Sequence, residues 1–385
     1  QGMTGRLYTA LGVLIMTGMS ALSLGGPVFY LIAWVLIFMI IYSGVSVLLA
    51  RQLTAITQGM DSLQVERGGK ARLIVGLATR NPLPAGPVSL GLSLPDGKSE
   101  VQLYPGFLGE KTADFNLLFN HVGVWPCGAQ AMKFTDIFGL FNLKKTIKTS
   151  LPQMLVLPRG FEVQPMPFAQ MDDGRALPNR TGEDVTSPED TRPYRQGDPF
   201  KRIHWKLSSR TRELVVRRFE VPAPPDTLIL MDCTEPVGGE GKQDGRLRLR
   251  DTLCETALAV AAMQMAGEHP VRLPLYGATQ TEFQSDRSGA LHLLKAELAY
   301  QLFRGGEPFE RVLNLELRRM RRTGATVVIT TRLDASIVEG VNNIRASGPN
   351  VRFYLITFDA GHERYTPYIQ RLQQHMVEVN YVTPA

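Results

Sequence analysis

The sequence predicts a membrane-anchored α+β protein of several domains: an N-terminal transmembrane helical hairpin, a β-sandwich-like region and a C-terminal α/β domain of Rossmann-like character. Three observations carry that expectation. Two uncharged apolar runs open the chain, short apolar alternations broken by turn formers follow, and from Asp226 onward strand-like and helix-like segments alternate. A length of 385 residues exceeds one ordinary domain, and 44% hydrophobic with 20% charged residues describes a folded rather than a disordered chain.

Residues 7–24 and 28–50 contain no Asp, Glu, Lys or Arg and are split only by Gly25-Gly26-Pro27. Each run is long enough to cross a hydrocarbon core of roughly 30 Å, so a hairpin of two spans is expected. A cleaved signal peptide is the competing reading of the first run, but no small-x-small cleavage site stands out and a second, longer run follows at once. Arg6 precedes the first run, and Arg51, Arg67, Lys70 and Arg72 follow the second, while the turn carries no basic residue. Both ends then face the cytoplasm, as expected of a two-pass protein of a bacterial inner membrane with its other domains on the cytoplasmic side. The chain opens Gln1-Gly2-Met3, so either translation starts at Met3 or the sequence is a piece of a longer one.

The expected organisation is a hairpin over residues 1–50, a linker over 51–64, a β-rich immunoglobulin-like domain over 65–158, a loop or linker over 159–191, a basic segment over 192–225 and the α/β domain over 226–385. In the β-rich part, residues 72–77 and 88–94 alternate between turn signals at Asn81-Pro82-Leu83-Pro84 and Pro95-Asp96-Gly97. Residues 159–191 are rich in Pro, Gly, Asp and Thr and lack periodicity. Beyond them, strands are expected over 227–231, 271–276, 325–330, 351–357 and 377–382. Helices are expected over 250–266, 290–303, 308–322, 336–346 and about 368–375. This alternation builds a mostly parallel sheet with helices on both faces, whose ligands sit beyond the carboxyl ends of the strands. Cys127, Cys233 and Cys254 form no CxxC pair, so buried, reduced thiols are expected rather than disulfides or zinc ligands.

Charge is concentrated in one place. From Arg192 to Glu220 nine Lys or Arg (192, 195, 201, 202, 206, 210, 212, 217, 218) face three acids (198, 213, 220), an excess of six that equals the formal +6 of the whole chain. The stretch interleaves Arg192, Arg195, Lys201, Arg202, Lys206 and Arg210 with Tyr194, Phe200 and Trp205, around a turn at Gly197-Asp198-Pro199. Guanidinium forks suit carboxylates of an adjoining domain or of a partner, and the residues alone do not divide those two. His204 is read as structural, because nothing in the sequence places a nucleophile, a second carboxylate or an oxyanion loop beside it. No nucleic-acid-binding module is recognisable, and nucleic acid is not expected as a partner.

The stretch resembles the core motif of the bacterial domain-of-unknown-function-58 family. The resemblance rests on Arg192, Tyr194 and Gly197-Asp198, then Arg202-Ile203-x-Trp205-Lys206, then Ser208-Ser209-Arg210, and finally Leu214-Val215-Val216-Arg217-Arg218-Phe219-Glu220. Pro193 stands where an acid is common and Gln196 where Pro is common. Asp136-Ile137-Phe138-Gly139-Leu140-Phe141 is similar to a segment of the same family, and its residues read as a Gly-centred turn between two core aromatics. The resemblance implies a von Willebrand factor A-like C-terminal domain and association with MoxR-type AAA+ ATPases. It therefore implies a membrane-anchored, non-enzymatic adaptor or assembly factor, with the residues of the basic stretch as its partner-binding or domain-docking surface.

Asp232-Cys233-Thr234-Glu235-Pro236 lies where a von Willebrand factor A domain carries the cation motif Asp-x-Ser-x-Ser. Asp232 and Thr234 keep oxygen donors, but Pro236 replaces the second hydroxyl, and Ile329-Thr330-Thr331-Arg332 puts a cation where an Asp-bearing loop is expected. The position reads as a degenerate metal site, into which Asp334 could swing though nothing in the sequence requires it, and no cofactor is expected. A metal-dependent ligand-binding receptor is the alternative function, and a hydrolase acting at His204 a further one. The chain lacks GxSxG, HExxH and a GxGxxG following a strand. Gly238-Gly239-Glu240-Gly241-Lys242-Gln243 has the wrong spacing for a phosphate loop and reads as a loop. Arg318, Arg319, Arg321 and Arg322 read as complements to the dipole of the helix they close.

Overall fold

The computed structural model describes residues 4–95, 97–106, 108–164, 166, 190–194, 203–218, 225–236, 243–304, 306–320, 323–359, 361 and 363–384. The chain divides into two compact units, Gln1–Pro158 and Arg159–Ala385.

The first unit opens with two helices, α1 (Gly5–Leu24) and α2 (Pro27–Leu53), both long and apolar enough to cross a membrane. Gly25 ends α1 at φ 66°, a left-handed value that costs glycine little, and Pro27 starts α2, where its missing N–H is no loss. Helix α2 outruns the uncharged stretch by three residues because its hydrogen bonding continues through Arg51 and Gln52. Lys145 Nζ then donates to the carbonyls of Arg51 (3.0 Å) and Thr54 (3.1 Å), closing the helix end with a positive charge.

Ten strands follow: β1 (Thr54–Met60), β2 (Gln64–Glu66), β3 (Lys70–Thr79), β4 (Val88–Leu94), β5 (Gly97–Leu103), β6 (Glu110–Leu118), β7 (Gly123–Pro126), β8 (Gly128–Thr135), β9 (Asn142–Thr146) and β10 (Gln153–Leu157). They form sheets of order β1-β3-β6, β2-β10-β7 and β5-β4-β8-β9. Residues 51–64, expected as a linker, instead finish α2 and supply β1, paired antiparallel along β3 from Thr54↔Thr79 to Met60↔Leu73. In β3 the pattern of period two is plain, with Ala71, Leu73, Val75 and Leu77 buried and Arg72 and Ile74 exposed. These residues share one core with Leu90 and Leu92 of β4, Met132 and Phe134 of β8, Met154 and Val156 of β10, and Val47 and Ala50 of α2. The second helix therefore enters this core with its last turns.

The second unit holds β11 (Asp190–Pro193), α3 (Trp205–Thr211) and β12 (Val215–Arg218), and then β13 (Asp226–Met231), α4 (Gln243–Ala266), β14 (Val271–Tyr276), β15 (Gln280–Ser285), α5 (Leu291–Tyr300), α6 (Phe309–Arg319), β16 (Thr323–Thr330), α7 (Ala335–Ala346), β17 (Asn350–Ile356), α8 (Thr366–Gln374) and β18 (Glu378–Val382). The six-stranded sheet has the order β15-β14-β13-β16-β17-β18, parallel except for β15. Strand β15 is absent from the sequence expectation. It is a polar edge strand whose one buried side chain is Phe283, so hydrophobic periodicity does not mark it.

Alternation along β13 divides the core. Ile229 and Met231 join one cluster with α4 (Leu253, Ala257, Ala261) and α5 (Leu294, Leu298), while Leu228 and Leu230 join another with α6 (Phe309, Val312, Leu313) and α7 (Ile337, Val341, Ile344). Part of the expected loop over 159–191 is packed rather than free: Met166 lies in the first cluster, Val163 packs on it, and the Gln164 carbonyl accepts from Arg352 Nη1 at 2.7 Å.

Candidate functional site

The order of the large sheet fixes where a site belongs. From β13 the chain moves to β14 on one side, and later enters β16 on the other side before continuing to β17, so the crevice beyond the carboxyl ends of β13 and β16 is the topological switch point. Asp232 leaves β13 there, and Thr330 and Arg332 leave β16. The Asp232 carboxylate is buried, and its oxygens are fully engaged: Oδ1 accepts from Thr234 N (3.0 Å) and Thr234 Oγ1 (2.6 Å), and Oδ2 accepts from Thr330 Oγ1 (2.8 Å). Arg332 closes the cluster. Its Nε lies 3.8 Å from Asp232 Oδ2, and its Nη2 donates to Thr234 Oγ1 and to the Glu235 carbonyl (3.1 Å).

A guanidinium thus occupies the space in which a cation would meet Asp232 and Thr234. Asp334 is committed elsewhere as the N-cap of α7, with Oδ1 accepting from Ile337 N (2.9 Å) and Ser336 Oγ (2.7 Å). Among the described residues no group of three or more His, Cys, Asp or Glu is arranged to hold a metal. Next to Asp232, burial pushes the Cys233 thiol up to about 12, and the neighbouring carboxylate adds to the shift.

A second polar cluster lies where α6 covers β14 and β15, and the sequence reading missed it. Glu316 is wholly buried, and its carboxylate accepts from Arg272 Nη1 (2.7 Å), Arg319 Nη1 (2.8 Å) and Tyr276 Oη (2.5 Å). Glu282 of β15 joins both arginines, at 3.3 Å from Arg272 and 3.1 Å from Arg319, and Asp226 lies 3.5 Å from Arg272. Burial and the Glu316 carboxylate raise the Tyr276 phenol, and burial raises Asp226. A signal existed: Glu316 completes the helical stripe Phe309, Val312, Leu313, so the sequence does place a carboxylate on an apolar face. Arg319 is therefore a bonded member of this cluster as well as a complement to the helix dipole.

Of the basic stretch, Arg195, Gly197, Asp198, Lys201 and Arg202 lie outside the described residues, as does the expected turn at 197–199. What remains is a small structural unit. Strands β11 and β12 pair antiparallel from Asp190↔Arg218 to Pro193↔Val215, so Arg192 sits opposite Val216, and Tyr194 N donates to the Leu214 carbonyl at 2.8 Å. Buried Ile203 bridges to buried Val216. His204 caps α3: its Nδ1 accepts from Leu207 N at 3.1 Å, a bond that requires the tautomer protonated on Nε2. Ser208 Oγ accepts from Val215 N at 2.9 Å and ties the helix to the strand. These bonds turn Trp205, Lys206, Ser209 and Arg210 outward, with Trp205 64% exposed.

The turn at residues 136–141 has a further role. The buried Asp136 carboxylate accepts from Phe138 N (3.0 Å) and Phe141 N (2.7 Å), and Gly139 adopts φ 70°. Phe141 packs on the core, but Phe138 is exposed, so only one of the two aromatics is a core residue. Thr4 Oγ1 donates to the carbonyls of Gly139 (2.7 Å) and Leu140 (2.8 Å), and the Phe141 ring lies against Gly44 of α2. The turn therefore holds the start of α1 and the middle of α2 together.

Residues 190–352 match the family model described as "Protein of unknown function DUF58". No curated protein matches the chain. Among solved structures, Cwp6 from Clostridium difficile is 12% identical, with 85% of this chain and 53% of that chain covered at a TM-score of 0.19. A β-glucuronidase of Parabacteroides merdae is 9% identical, with 86% and 40% covered at 0.19. An exo-β-N-acetylglucosaminidase of Vibrio harveyi is 9% identical, with 83% and 59% covered at 0.18. The chain spans about half the length of these structures, and likeness at such scores carries no argument.

Proposed function

We propose, because residues 190–352 make this chain a member of the DUF58 family, that it acts as a membrane-anchored, non-enzymatic protein-interaction or assembly factor working with a MoxR-type AAA+ ATPase. In this reading α1 and α2 cross the membrane with both ends in the cytoplasm, residues 65–158 are an immunoglobulin-like sandwich, and residues 226–385 are a von Willebrand factor A-like domain in which Arg332 has taken the place of the cation.

The observation that carries the reading is Trp205. This tryptophan is 64% exposed on a short helix, next to exposed Lys206 and Arg210. Trp and Arg are the side chains that dominate binding energy at protein interfaces, and a local positive field steers an acidic partner. The same helix weakens the hydrolase reading, since the His204 nitrogen that would take a proton already accepts from a backbone N–H. The metal-dependent receptor reading is weakened by the Arg332 guanidinium against Asp232.

The test is co-purification of the tagged full chain from native membranes, as wild type and as Trp205→Ala with Lys206→Glu. The expected result is a fall of at least about tenfold in recovery of a MoxR-type ATPase, with the melting temperature within a few degrees of wild type. Undiminished recovery, or a collapse in melting temperature with unchanged recovery per folded molecule, would show that the helix is internal cement.

A further inference from the structure

We infer that a cavity at the foot of α2 binds the phosphodiester headgroup of an anionic phospholipid. The cavity measures about 520 Å³ and is lined by Arg51, Lys144, Lys145 and Lys148, with Ile56 and Ile147 among its apolar walls and no acid among its lining residues. Lys145 is held in place by the carbonyls of Arg51 and Thr54. Arg51, Lys144 and Lys148 are exposed. Four like charges around one hollow repel one another unless an anion sits among them, and phosphate oxygens suit both guanidinium and ammonium donors.

Position identifies the source of that phosphate. The inference rests on the reading of α1 and α2 as membrane-crossing helices. On α2 the exposed face runs through Ile41, Val45 and Leu48 and then turns polar at Arg51 and Gln52, so the apolar surface ends at the cavity. The turn that grips Thr4 and Gly44 also presents Ile137 and Phe138 as exposed apolar side chains, a pair suited to the edge of the hydrocarbon. From Gly44 to Arg51 is seven residues, roughly 10 Å of helix, comparable to a headgroup layer of about 5–8 Å. The basic hollow thus opens at the depth of the lipid phosphates, with the α2 exposed face beside it to receive acyl chains. A soluble phosphate compound would meet the same charges without needing those apolar surfaces.

The experiment uses the full chain in a neutral detergent, titrated with palmitoyl-oleoyl phosphatidylglycerol, palmitoyl-oleoyl phosphatidylcholine and sodium phosphate, with bound lipid read by native mass spectrometry. Phosphatidylglycerol is expected to bind at least about tenfold more tightly than phosphatidylcholine. Lys144→Gln with Lys148→Gln is expected to weaken it by roughly twenty-fivefold, about fivefold for each basic residue near the headgroups. Lys98→Gln with Lys111→Gln, at exposed positions on β5 and β6, makes the same change in net charge and is expected to leave the preference intact. Equal binding of the two lipids, a preference that survives in the first double variant, or an equal loss in the second overturns the inference. So does sodium phosphate competing at the concentration at which phosphatidylglycerol binds. Alkaline carbonate separates this failure from failure of the anchor reading: a chain released from membranes by carbonate refutes both, whereas a retained chain without lipid preference refutes only the lipid site.

Discussion

Arg332 lies against Asp232 at the switch point of the parallel sheet, with Nε 3.8 Å from Oδ2, so the carboxylate that could have held a cation is neutralised by the protein itself. Titration of the full chain with magnesium or calcium is therefore expected to be calorimetrically flat. Asp232→Ala should destabilise by about 1–3 kcal/mol, since Thr330 and Thr234 lose an acceptor while the partly exposed Arg332 is still reached by water. Micromolar cation affinity that vanishes in Asp232→Ala would restore the receptor reading.

Glu316 is a buried carboxylate bonded to two arginines and a phenol. Its removal leaves Arg272 buried and short of its closest partner, so Glu316→Gln is expected to cost about 3–5 kcal/mol in denaturant unfolding. Arg319→Gln at the half-exposed end of the same cluster should cost no more than about 1 kcal/mol. Equal costs would mean that the cluster is not organised around the buried carboxylate.

Gly139 is required by its φ of 70°, a left-handed value that strains any residue with a Cβ. Gly139→Ala should destabilise by more than about 1 kcal/mol, and Asp136→Ala by a similar amount through two unsatisfied backbone N–H groups. Both variants should speed proteolysis near the start of α1, because that turn holds Thr4. A cleavage pattern identical to wild type would show that the contact does not secure the helix.

All three cysteines are buried thiols, Cys127 pushed up to about 11, Cys233 to about 12, and Cys254 raised in the same direction, each mainly by burial. Ellman's reagent at pH 7.5 should label almost none of them in the native chain and all three after unfolding. Because the folded values lie above the ordinary 9.0, the protonated thiols contribute stability that is complete below pH 9 and lost as pH rises through 11 to 12. Tyr276, raised above 10, acts in the same direction. A melting temperature that holds constant from pH 7 to 8.5 and then falls is expected, and a rise above pH 9 would contradict these shifts.

Much of the local structure was legible because local chemistry decides it. The apolar runs and Gly25-Gly26-Pro27 specify two helices and their turn, and uncharged strands rich in β-branched residues, such as 325–330, alternating with helices specify a parallel interior. Boundaries were less legible: α2 passes Ala50 because backbone hydrogen bonding does not stop where charge begins, and β1 follows at once because β3 offers it a partner. Strand β15 and the packed residues Val163 and Met166 escaped notice since their placement depends on neighbours distant in sequence.

By itself the sequence determined the two apolar helices and the concentration of positive charge in residues 192–220, both of which are properties of composition and spacing. Only the tertiary structure decided that Arg332 meets Asp232 across 100 residues, that Glu316 faces Arg272 and Tyr276, and that Arg51 joins Lys144, Lys145 and Lys148 around one hollow. The physical reason is the same in each case: partners of a buried or crowded charge are chosen by strand order and helix packing, which bring together side chains that no local pattern connects.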